Sequence, residues 1–325
     1  MKYILFLSGE NVELAKFEAL RLFESYGSLN DYNINNRILI VDYNGKTFFG
    51  RLALTHEVCK YIAECELQEL EDVFSKVEIP KEFCCVRVER INCKIDSLKL
   101  ERKLGEIIWR RGAKISVSNP KVIFKIYITS EKCFVGLLIH RQNKKQFLER
   151  RPDKRPFFMP AVVLPKFARA LVNLTGVKKG ELLLDPMCGT GSFLIEAGLM
   201  NINAVGVDFF EKIVFGCKKN LEFYGVNSEV LRGDARSLPF KDSVFDAIVT
   251  DYPYLRSTRT AGELLELYEK SLEEFKRILK PNRLLVIVTN IDVEDMLKGY
   301  KLIAKFMQRV HSSLTRRIYL LKSKG

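Results

Sequence analysis

Histidine and tryptophan are scarce in this sequence, which has three of the first and one of the second among 325 residues. The eight cysteines form no C-x-x-C pair, and no histidine stands at ligand spacing from them, so we expect no metal site. The sequence also lacks an apolar run long enough to cross a membrane. Its short apolar start does not resemble a signal peptide. Reduced cysteines and the missing signal predict a cytoplasmic protein.

Acidic residues are missing from residues 301–325, which hold seven Lys and Arg. Residues 81–155 hold 20 basic residues against eight acidic ones. The remainder is close to neutral or slightly acidic, so the net charge of +13 is concentrated in the middle block and the tail. A local basic surface of this kind is typical of phosphate binding. A generally basic, solvated surface is the alternative.

Three folded parts and one linker are predicted. Residues 1–65 and 66–145 each show strands and helices of an α+β unit. Residues 146–160 combine three prolines with many charges and predict a linker. From residue 161 to 325, apolar strands alternate with helices, which predicts an α/β, Rossmann-like domain with a parallel sheet covered on both faces.

The sequence DPMCGTGS (185–192) follows a buried strand and precedes a helix. Gly189 and Gly191 let a ligand approach the backbone at a helix N-terminus. A nicotinamide-type fingerprint needs Gly or Ala at position 194, which is leucine, so a dehydrogenase is disfavoured. Asp185 attracts the ammonium of an amino-acid moiety and repels a dinucleotide phosphate. A tight turn without a ligand is the alternative.

Two further acids end the next strands. Asp208 lies 23 residues after Asp185 and suits two ribose hydroxyls, although it is also a candidate N-cap for the next helix. Asp234 in the sequence GDAR (233–236) can accept from an adenine amino group, or it can close a surface turn. Together these motifs predict S-adenosylmethionine as the cofactor. The predicted cofactor contacts are Asp185, Pro186, Cys188, Gly189, Gly191, Asp208, Asp234 and Ala235.

The sequence DYPY (251–254) closes the following strand. An aromatic amine is a poor nucleophile because its lone pair is delocalised, so it must be held in line with a methyl donor while acceptors take its N–H groups. The Asp251 carboxylate and the Tyr252 carbonyl are such acceptors. Pro253 stiffens the loop, and Tyr254 offers a ring on which a flipped base stacks. We predict these four residues as catalytic; a strand exit that merely contains proline is the alternative.

These motifs resemble those of a known family, the THUMP-domain tRNA guanine-N2 methyltransferases of archaea and eukaryotes, which act at guanosine 10. The resemblance covers most of the chain. The matching segments are the family's pre-core helix (160–174), its cofactor loop (185–197), its ribose and adenine acids (Asp208 and Asp234), its catalytic loop (251–254) and its closing-strand motif (313–316). Two positions depart from the family loop D-P-P-Y-G, since Tyr252 replaces the first proline and Leu255 the glycine.

The resemblance implies a seven-stranded, mostly parallel class I methyltransferase domain at residues 161–325. It implies a ferredoxin-like domain at 1–65 and a THUMP domain at 66–145 that grips the tRNA. The implied reaction is methyl transfer from S-adenosylmethionine to the exocyclic N2 amine of guanosine 10 in tRNA. Some members of the family work with a small zinc-binding activator protein, which makes such a protein a candidate partner.

Six basic residues are the predicted phosphate contacts: Arg110, Arg111, Lys144, Lys145, Arg150 and Arg151. Two other functions stay open at this point. One is an N2-guanine or N6-adenine methyltransferase that acts on another tRNA site, on ribosomal RNA or on DNA. The other is a non-catalytic RNA-binding module that kept the cofactor fold.

Overall fold

In this computed structural model the chain divides into two compact units. The structure describes residues 1–160, 162–254, 261–311 and 314–324. The first unit comprises Met1–Lys16, Tyr26–Gly50 and Thr55–Gln142. The second unit comprises Phe17–Ser25, Arg51–Leu54 and Asn143–Gly325. No helix in the described ranges is long and apolar enough to span a membrane.

The first unit is built on one seven-stranded sheet with the order β2-β3-β1-β4-β7-β6-β5. Neighbouring strands are antiparallel except β5 and β6, which run parallel. The strands are β1 (Lys2–Leu7), β2 (Gly27–Asn35), β3 (Ile38–Gly45), β4 (Thr55–Cys65), β5 (Cys84–Arg90), β6 (Val122–Ile128) and β7 (Cys133–Arg141). The helices are α2 (Leu70–Lys76), α3 (Ser97–Arg110) and α1 (Val12–Tyr26), the last of which contributes residues to both units.

This sheet differs from the sequence prediction in two respects. Strand β4 ends at Cys65 and pairs with β7, so the sheet continues across the boundary predicted between residues 65 and 66. Strand β2 was not predicted, because its sequence is polar and most of its residues are exposed. An edge strand needs no apolar alternation when the backbone hydrogen bonds to its neighbour β3 hold it in place.

The second unit contains a seven-stranded sheet with the order β10-β9-β8-β11-β12-β14-β13. The first five strands run parallel, and β14 is antiparallel to both of its neighbours. Its strands are β8 (Leu182–Asp185), β9 (Asn203–Asp208), β10 (Glu229–Arg232), β11 (Phe245–Asp251), β12 (Leu279–Thr289), β13 (Tyr300–His311) and β14 (Leu314–Ser323). Its helices are α4 (Lys145–Glu149), α5 (Pro165–Leu174), α6 (Ser192–Leu199), α7 (Glu211–Phe223) and α8 (Ala261–Ile278). The predicted Rossmann-like α/β class is confirmed.

Strand order determines where a ligand can bind in this sheet. Strands β8 and β11 are neighbours although 59 residues (186–244) separate them, so the direction of the strand order reverses between them. In open α/β sheets the ligand crevice lies outside the carboxyl ends of the strands at such a reversal. Asp185 is the last residue of β8 and Asp251 is the last residue of β11. The fold therefore brings these two predicted site residues to the same crevice.

Two segments of the second unit differ from their predictions. The sequence predicts a helix at 292–298, but the structure has only a short 3-10 turn there, Glu294–Met296. The segment expected as a linker, 146–160, includes most of α4 and a 3-10 turn at Pro152–Lys154, and it buries Arg150 and Arg155. Apolar periodicity does not indicate this packing, because two of the four buried residues, Arg150 and Arg155, are charged.

Candidate active site

A cavity of about 650 Å³ opens at the carboxyl edge of the second sheet, a volume within the range of small-molecule sites. Its wall includes the predicted cofactor and catalytic residues with the exception of Gly191. The predicted residues on the wall are Asp185, Pro186, Cys188, Gly189, Asp208, Asp234, Ala235 and the stretch Asp251–Tyr254. Residues that are distant in the chain are thus brought to one site.

Asp185 is a buried carboxylate at the floor of this site, with 1% of its surface exposed. Its Oδ1 accepts a hydrogen bond from the Met187 amide at 3.3 Å. Burial raises the pKa of Asp185 well above its ordinary value, because desolvation penalises the charged form. A cationic ligand placed against it would favour the ionised form. Cys188 is also buried, and its amide donates to the Val207 carbonyl at 2.9 Å, which joins the loop to β9.

The glycine loop and Asp208 hold each other in place. The Gly189 amide donates to Asp208 Oδ2 at 3.0 Å, and the Phe210 amide donates to Asp208 Oδ1 at 3.1 Å. The cap position of α7 is Phe210, so Asp208 is not its N-cap. Gly191 has a φ of +85°, and a Cβ there would lie 2.8 Å from Cys217 Sγ. Gly191 therefore shapes the loop without reaching the cavity.

Asp234 lines the cavity and takes part in several hydrogen bonds. Its carboxylate is paired with Arg236, with Nη2 to Oδ2 at 2.7 Å and Nε to Oδ1 at 3.0 Å. Its carbonyl accepts from the Ser237 amide at 3.0 Å, which closes a turn. Asp234 therefore closes a surface turn and also lines the cavity, while the next residue, Ala235, is buried.

Arg155 and Asn220 support the glycine loop, and sequence reasoning gave neither a role. Arg155 Nη1 donates to Ser192 Oγ at 2.9 Å and to Thr190 Oγ1 at 3.3 Å. Asn220 Nδ2 donates to the Thr190 carbonyl at 3.0 Å and to the Phe157 carbonyl at 2.9 Å. Residues 155–157 and Asn220 thus connect α7 to the cofactor loop through hydrogen bonds. Their charges and prolines had indicated a linker, so no sequence signal pointed to this contact.

Asp251, Tyr254 and Arg316 form a hydrogen-bonded cluster beside the cavity. The Tyr254 hydroxyl donates to Asp251 Oδ1 at 2.8 Å, and Arg316 Nε donates to the Tyr254 hydroxyl at 2.8 Å. Arg316 Nη2 lies 3.6 Å from Asp251 Oδ2. Burial raises the pKa of Asp251 to about 6, against the opposing effects of Arg316 and Tyr254. Asp251 is therefore mainly ionised at neutral pH and can accept a hydrogen bond.

Tyr252 directs its side chain into the core. Its ring stacks on Tyr268 with centroids 4.1 Å apart, and its hydroxyl lies 2.7 Å from Ser271 Oγ. A bulky side chain can therefore replace the family's first proline because it packs beneath the loop. Pro253 is partly buried on the cavity wall. Leu255, the second departure from the family loop, lies outside the described residues, as does Ser313 of the closing-strand motif.

Aromatic residues at the mouth of the cavity were not predicted. Phe209 and Phe210 follow β9, line the cavity and are 48% and 57% exposed. Asn290 and His311 line it from the ends of β12 and β13. An exposed aromatic pair directly after Asp208 is visible in the sequence as FF, and it would have indicated an apolar wall beside the acid.

Five of the six predicted phosphate contacts have exposed side chains: Arg110, Arg111, Lys144, Lys145 and Arg151. Arg110 forms an ion pair with Glu106, and Arg151 forms one with Asp153. Such surface pairs contribute little free energy and can be exchanged for a phosphate. Exposure is compatible with the predicted role, which stays a prediction.

The prediction for Arg150 was wrong. Its guanidinium is buried and donates to both carboxylate oxygens of Glu196, at 2.8 and 3.1 Å. Arg169 donates to the same carboxylate at 2.8 Å. Glu196 lies on α6 and is fully buried, so it needs these cations to offset its desolvation. Arg150 is therefore unavailable to a phosphate.

Comparison with known proteins decides the family. The family model described as "RMKL-like, methyltransferase domain" matches residues 152–318. A tRNA (guanine(10)-N2)-dimethyltransferase from Pyrococcus abyssi is 35% identical over 96% of this chain and 97% of its own length. This chain belongs to the tRNA (guanine-10) N2-methyltransferase family. A second relative of the same name, from Methanothermobacter thermautotrophicus, is 34% identical over 99% of both chains.

The structural comparison shows the fold. The crystal structure of TrmN from Thermus thermophilus matches 99% of this chain and 100% of its own with a TM-score of 0.56, at 20% sequence identity, which shows a shared fold. The predicted family and methyltransferase fold are confirmed. The protein is an S-adenosylmethionine-dependent methyltransferase, as the sequence predicted.

Proposed function

We propose that this methyltransferase acts on tRNA and transfers methyl groups to the exocyclic N2 amine of guanosine 10. The observation that carries the proposal is that the Asp251–Tyr254 loop and the three cofactor acids line the same cavity. A target amine at Asp251 would then lie beside the donor's methyl group. The names of the two relatives support guanine N2 as the acceptor and position 10 of tRNA as the site.

The residues that line the cavity fit S-adenosylmethionine. Asp185 is the buried carboxylate that would hold the ammonium of the methionine moiety, and Asp208 would accept from the ribose hydroxyls. Asp234 would accept from the adenine amine, with Phe209 and Phe210 as apolar surface for the ring. Gly189 leaves the loop open, because a Cβ there would meet no atom within 4 Å.

The residues of the catalytic loop would hold the target amine and take its proton. When bound, S-adenosylmethionine supplies a methyl group on a positively charged sulfur, which keeps the electron pair of the broken C–S bond. Asp251 accepts one N–H of the amine, and the Tyr252 carbonyl accepts the other. As the N2 lone pair forms the new N–C bond, N2 must lose a proton, and the ionised Asp251 carboxylate takes it. Stacking on Tyr254 orients the base, a contact worth roughly 1–3 kcal/mol.

Residues 66–145 are the proposed RNA-binding part of the chain, and residues 161–325 the catalytic part. The basic block 81–155 contains 20 Lys and Arg, and those that are exposed are available for phosphate contacts. Of the predicted contacts, Arg110 and Arg111 end α3 or follow it, and their exposed side chains leave them accessible. Lys144, Lys145 and Arg151 are exposed in the stretch before the catalytic part.

Nucleoside mass spectrometry tests the proposal. The enzyme is incubated with S-adenosylmethionine and a tRNA transcript, and with a transcript whose guanosine 10 is replaced by adenosine. We expect N2-methylated guanosine in the first sample and none in the second, with the mass showing whether one or two methyls are added. Preferred methylation of adenosine N6, of ribosomal RNA or of DNA would contradict the proposal. RNA binding without methyl transfer would favour a non-catalytic binding module.

Two expectations about the cellular setting belong to the proposal. We propose a cytoplasmic location, since the eight cysteines carry no disulfide and seven of them are buried. A small zinc-binding activator protein is the proposed additional partner. Activity of the purified chain alone, compared with activity after addition of such a protein, tests that requirement.

A further inference from the structure

Arg316 is a buried cation that the proposed reaction leaves without a role. It lies on β14, and only 4% of its side chain is exposed. A buried guanidinium pays a large desolvation penalty unless hydrogen bonds and a counter-charge offset it. Its contacts at this site are the Tyr254 hydroxyl, at 2.8 Å, and the Asp251 carboxylate, at 3.6 Å. Arg316 therefore joins the closing hairpin to the catalytic loop.

The hydrogen bonds of this cluster have a fixed direction. A guanidinium carries donors only, so the Tyr254 oxygen must accept from Arg316. The single hydrogen of the Tyr254 hydroxyl is then directed at Asp251 Oδ1, 2.8 Å away. Asp251 thereby receives a hydrogen bond on one oxygen and faces a positive charge with the other. Both interactions favour the carboxylate over the carboxylic acid.

We propose that Arg316 is a positioning residue for methyl transfer, which acts through the Tyr254 hydroxyl to hold Asp251 in one orientation and in its ionised form. Tyr254 then has two functions, since its ring faces the base and its hydroxyl relays the effect of Arg316. The inference rests on the proposed function for the identity of the target amine. It requires only that Asp251 accept a proton from a base amine.

The charged and titratable groups around Asp251 set the direction of the expected pH effect. Arg316 on β14 and Tyr254 in the loop lower its pKa, while burial raises it to about 6. Asp185 at the end of β8 interacts unfavourably with it when both are charged, and Tyr268 on α8 also lies within its field. Removing Arg316 removes an interaction that lowers the pKa of Asp251, so this pKa rises. Asp251 is then ionised in a smaller fraction of the enzyme molecules at neutral pH.

The experiment is a pH profile of single-turnover methyl transfer to tRNA, for the wild type and for Arg316→Met. The wild type should lose activity as the pH falls through about 6. In Arg316→Met this acid limb, the fall in activity at low pH, should move up by about one pH unit or more. The rate deficit relative to the wild type should therefore be largest at low pH and should narrow toward pH 9. Affinity for S-adenosylmethionine should stay within about twofold, because Arg316 contacts the catalytic loop and not the proposed cofactor acids.

Arg283→Met is the matched control. Arg283 lies on β12, and its Nη2 is 2.8 Å from Oδ1 of Asp246 near the start of β11, the strand that ends at Asp251. This variant removes the ion pairs of Arg283 with Asp246 and Glu181 but leaves the cluster intact. Thermal unfolding compares its stability with that of Arg316→Met, and its acid limb should coincide with that of the wild type.

Two further variants keep the inference falsifiable if Arg316→Met does not fold. Arg316→Lys retains the charge and should retain the acid limb, at a lower rate. Tyr254→Phe retains the ring and Arg316 but loses the relay, so its acid limb should move in the same direction as that of Arg316→Met. An unmoved acid limb in Tyr254→Phe, or an equal shift in Arg283→Met, would overturn the inference. If the wild type methylates a different base amine, the proposed function fails, and the same profiles on that amine still decide the role of Arg316.

Discussion

The carboxyl edge of the second sheet and the basic stretch 81–155 hold their charges in different ways. At the edge, Asp185 is buried, Asp251 has only 18% of its side chain exposed, and both have defined partners, so each depends on a particular geometry. In the basic stretch, Arg110, Lys144 and Lys145 are exposed, and exposed charges act mainly through their sum. We therefore expect single substitutions to have large, specific effects at the edge and small, additive effects at the exposed positions of the basic stretch.

Asp251→Ala is expected to have the largest effect. The variant lacks the group that takes the amine's proton, so kcat on tRNA should fall by at least about 100-fold. Affinity for S-adenosylmethionine, measured by calorimetry, should change little. Near-normal turnover of Asp251→Ala would contradict the large, specific effect expected for substitutions at the carboxyl edge of the second sheet.

Asp185→Asn should weaken cofactor binding by about ten- to hundredfold, because a hydrogen bond to a charged group contributes roughly 1.5–3 kcal/mol. Burial raises the pKa of Asp185, so lowering the pH neutralises it and should weaken cofactor binding in the wild type. Calorimetry across pH measures both effects. Asp185→Asn should have lost this pH dependence, and a variant that keeps it would assign the titration to another group.

Arg155→Ala should weaken cofactor binding by about tenfold, since the side chain supports Thr190 and Ser192 in the cofactor loop. RNA affinity should stay unchanged. Arg151→Ala is the matched control from the same segment, because Arg151 is exposed and paired only with Asp153 in the contacts described here. Equal cofactor affinities of the two variants would mean that Arg155 does not support the cofactor loop.

Arg110→Ala should have the smallest effect, a loss of a few-fold in tRNA affinity and a decrease of about one in the slope of log affinity against log salt. Arg150→Ala sharpens the comparison, because its partner is the buried Glu196. That variant should lower the melting temperature and leave the salt slope unchanged. Fluorescence titrations at several salt concentrations, with thermal unfolding, measure both. A salt slope that changes for Arg150→Ala and not for Arg110→Ala would contradict the role of Arg110 as a phosphate contact and of Arg150 as a buried partner of Glu196.

The strand-end acids could be predicted from the sequence because their positions follow from local rules. Asp185, Asp208 and Asp251 each end an apolar run, and the carboxyl ends of parallel strands meet at one edge. The glycine loop was recognisable for the same reason. Arg150 and Arg155 could not be distinguished in this way, because the sequence RRPDKR places basic residues at both buried and exposed positions.

The sequence by itself determined the fold class, the cofactor loop and the catalytic strand end, because apolar periodicity and backbone requirements act over neighbouring residues. Only the tertiary structure decided which charged residues are buried and paired. Arg316 meets Asp251 across 65 positions and Arg150 meets Glu196 across 46. Such pairs depend on the desolvation of both members in the folded chain, and no local pattern in the sequence encodes that property.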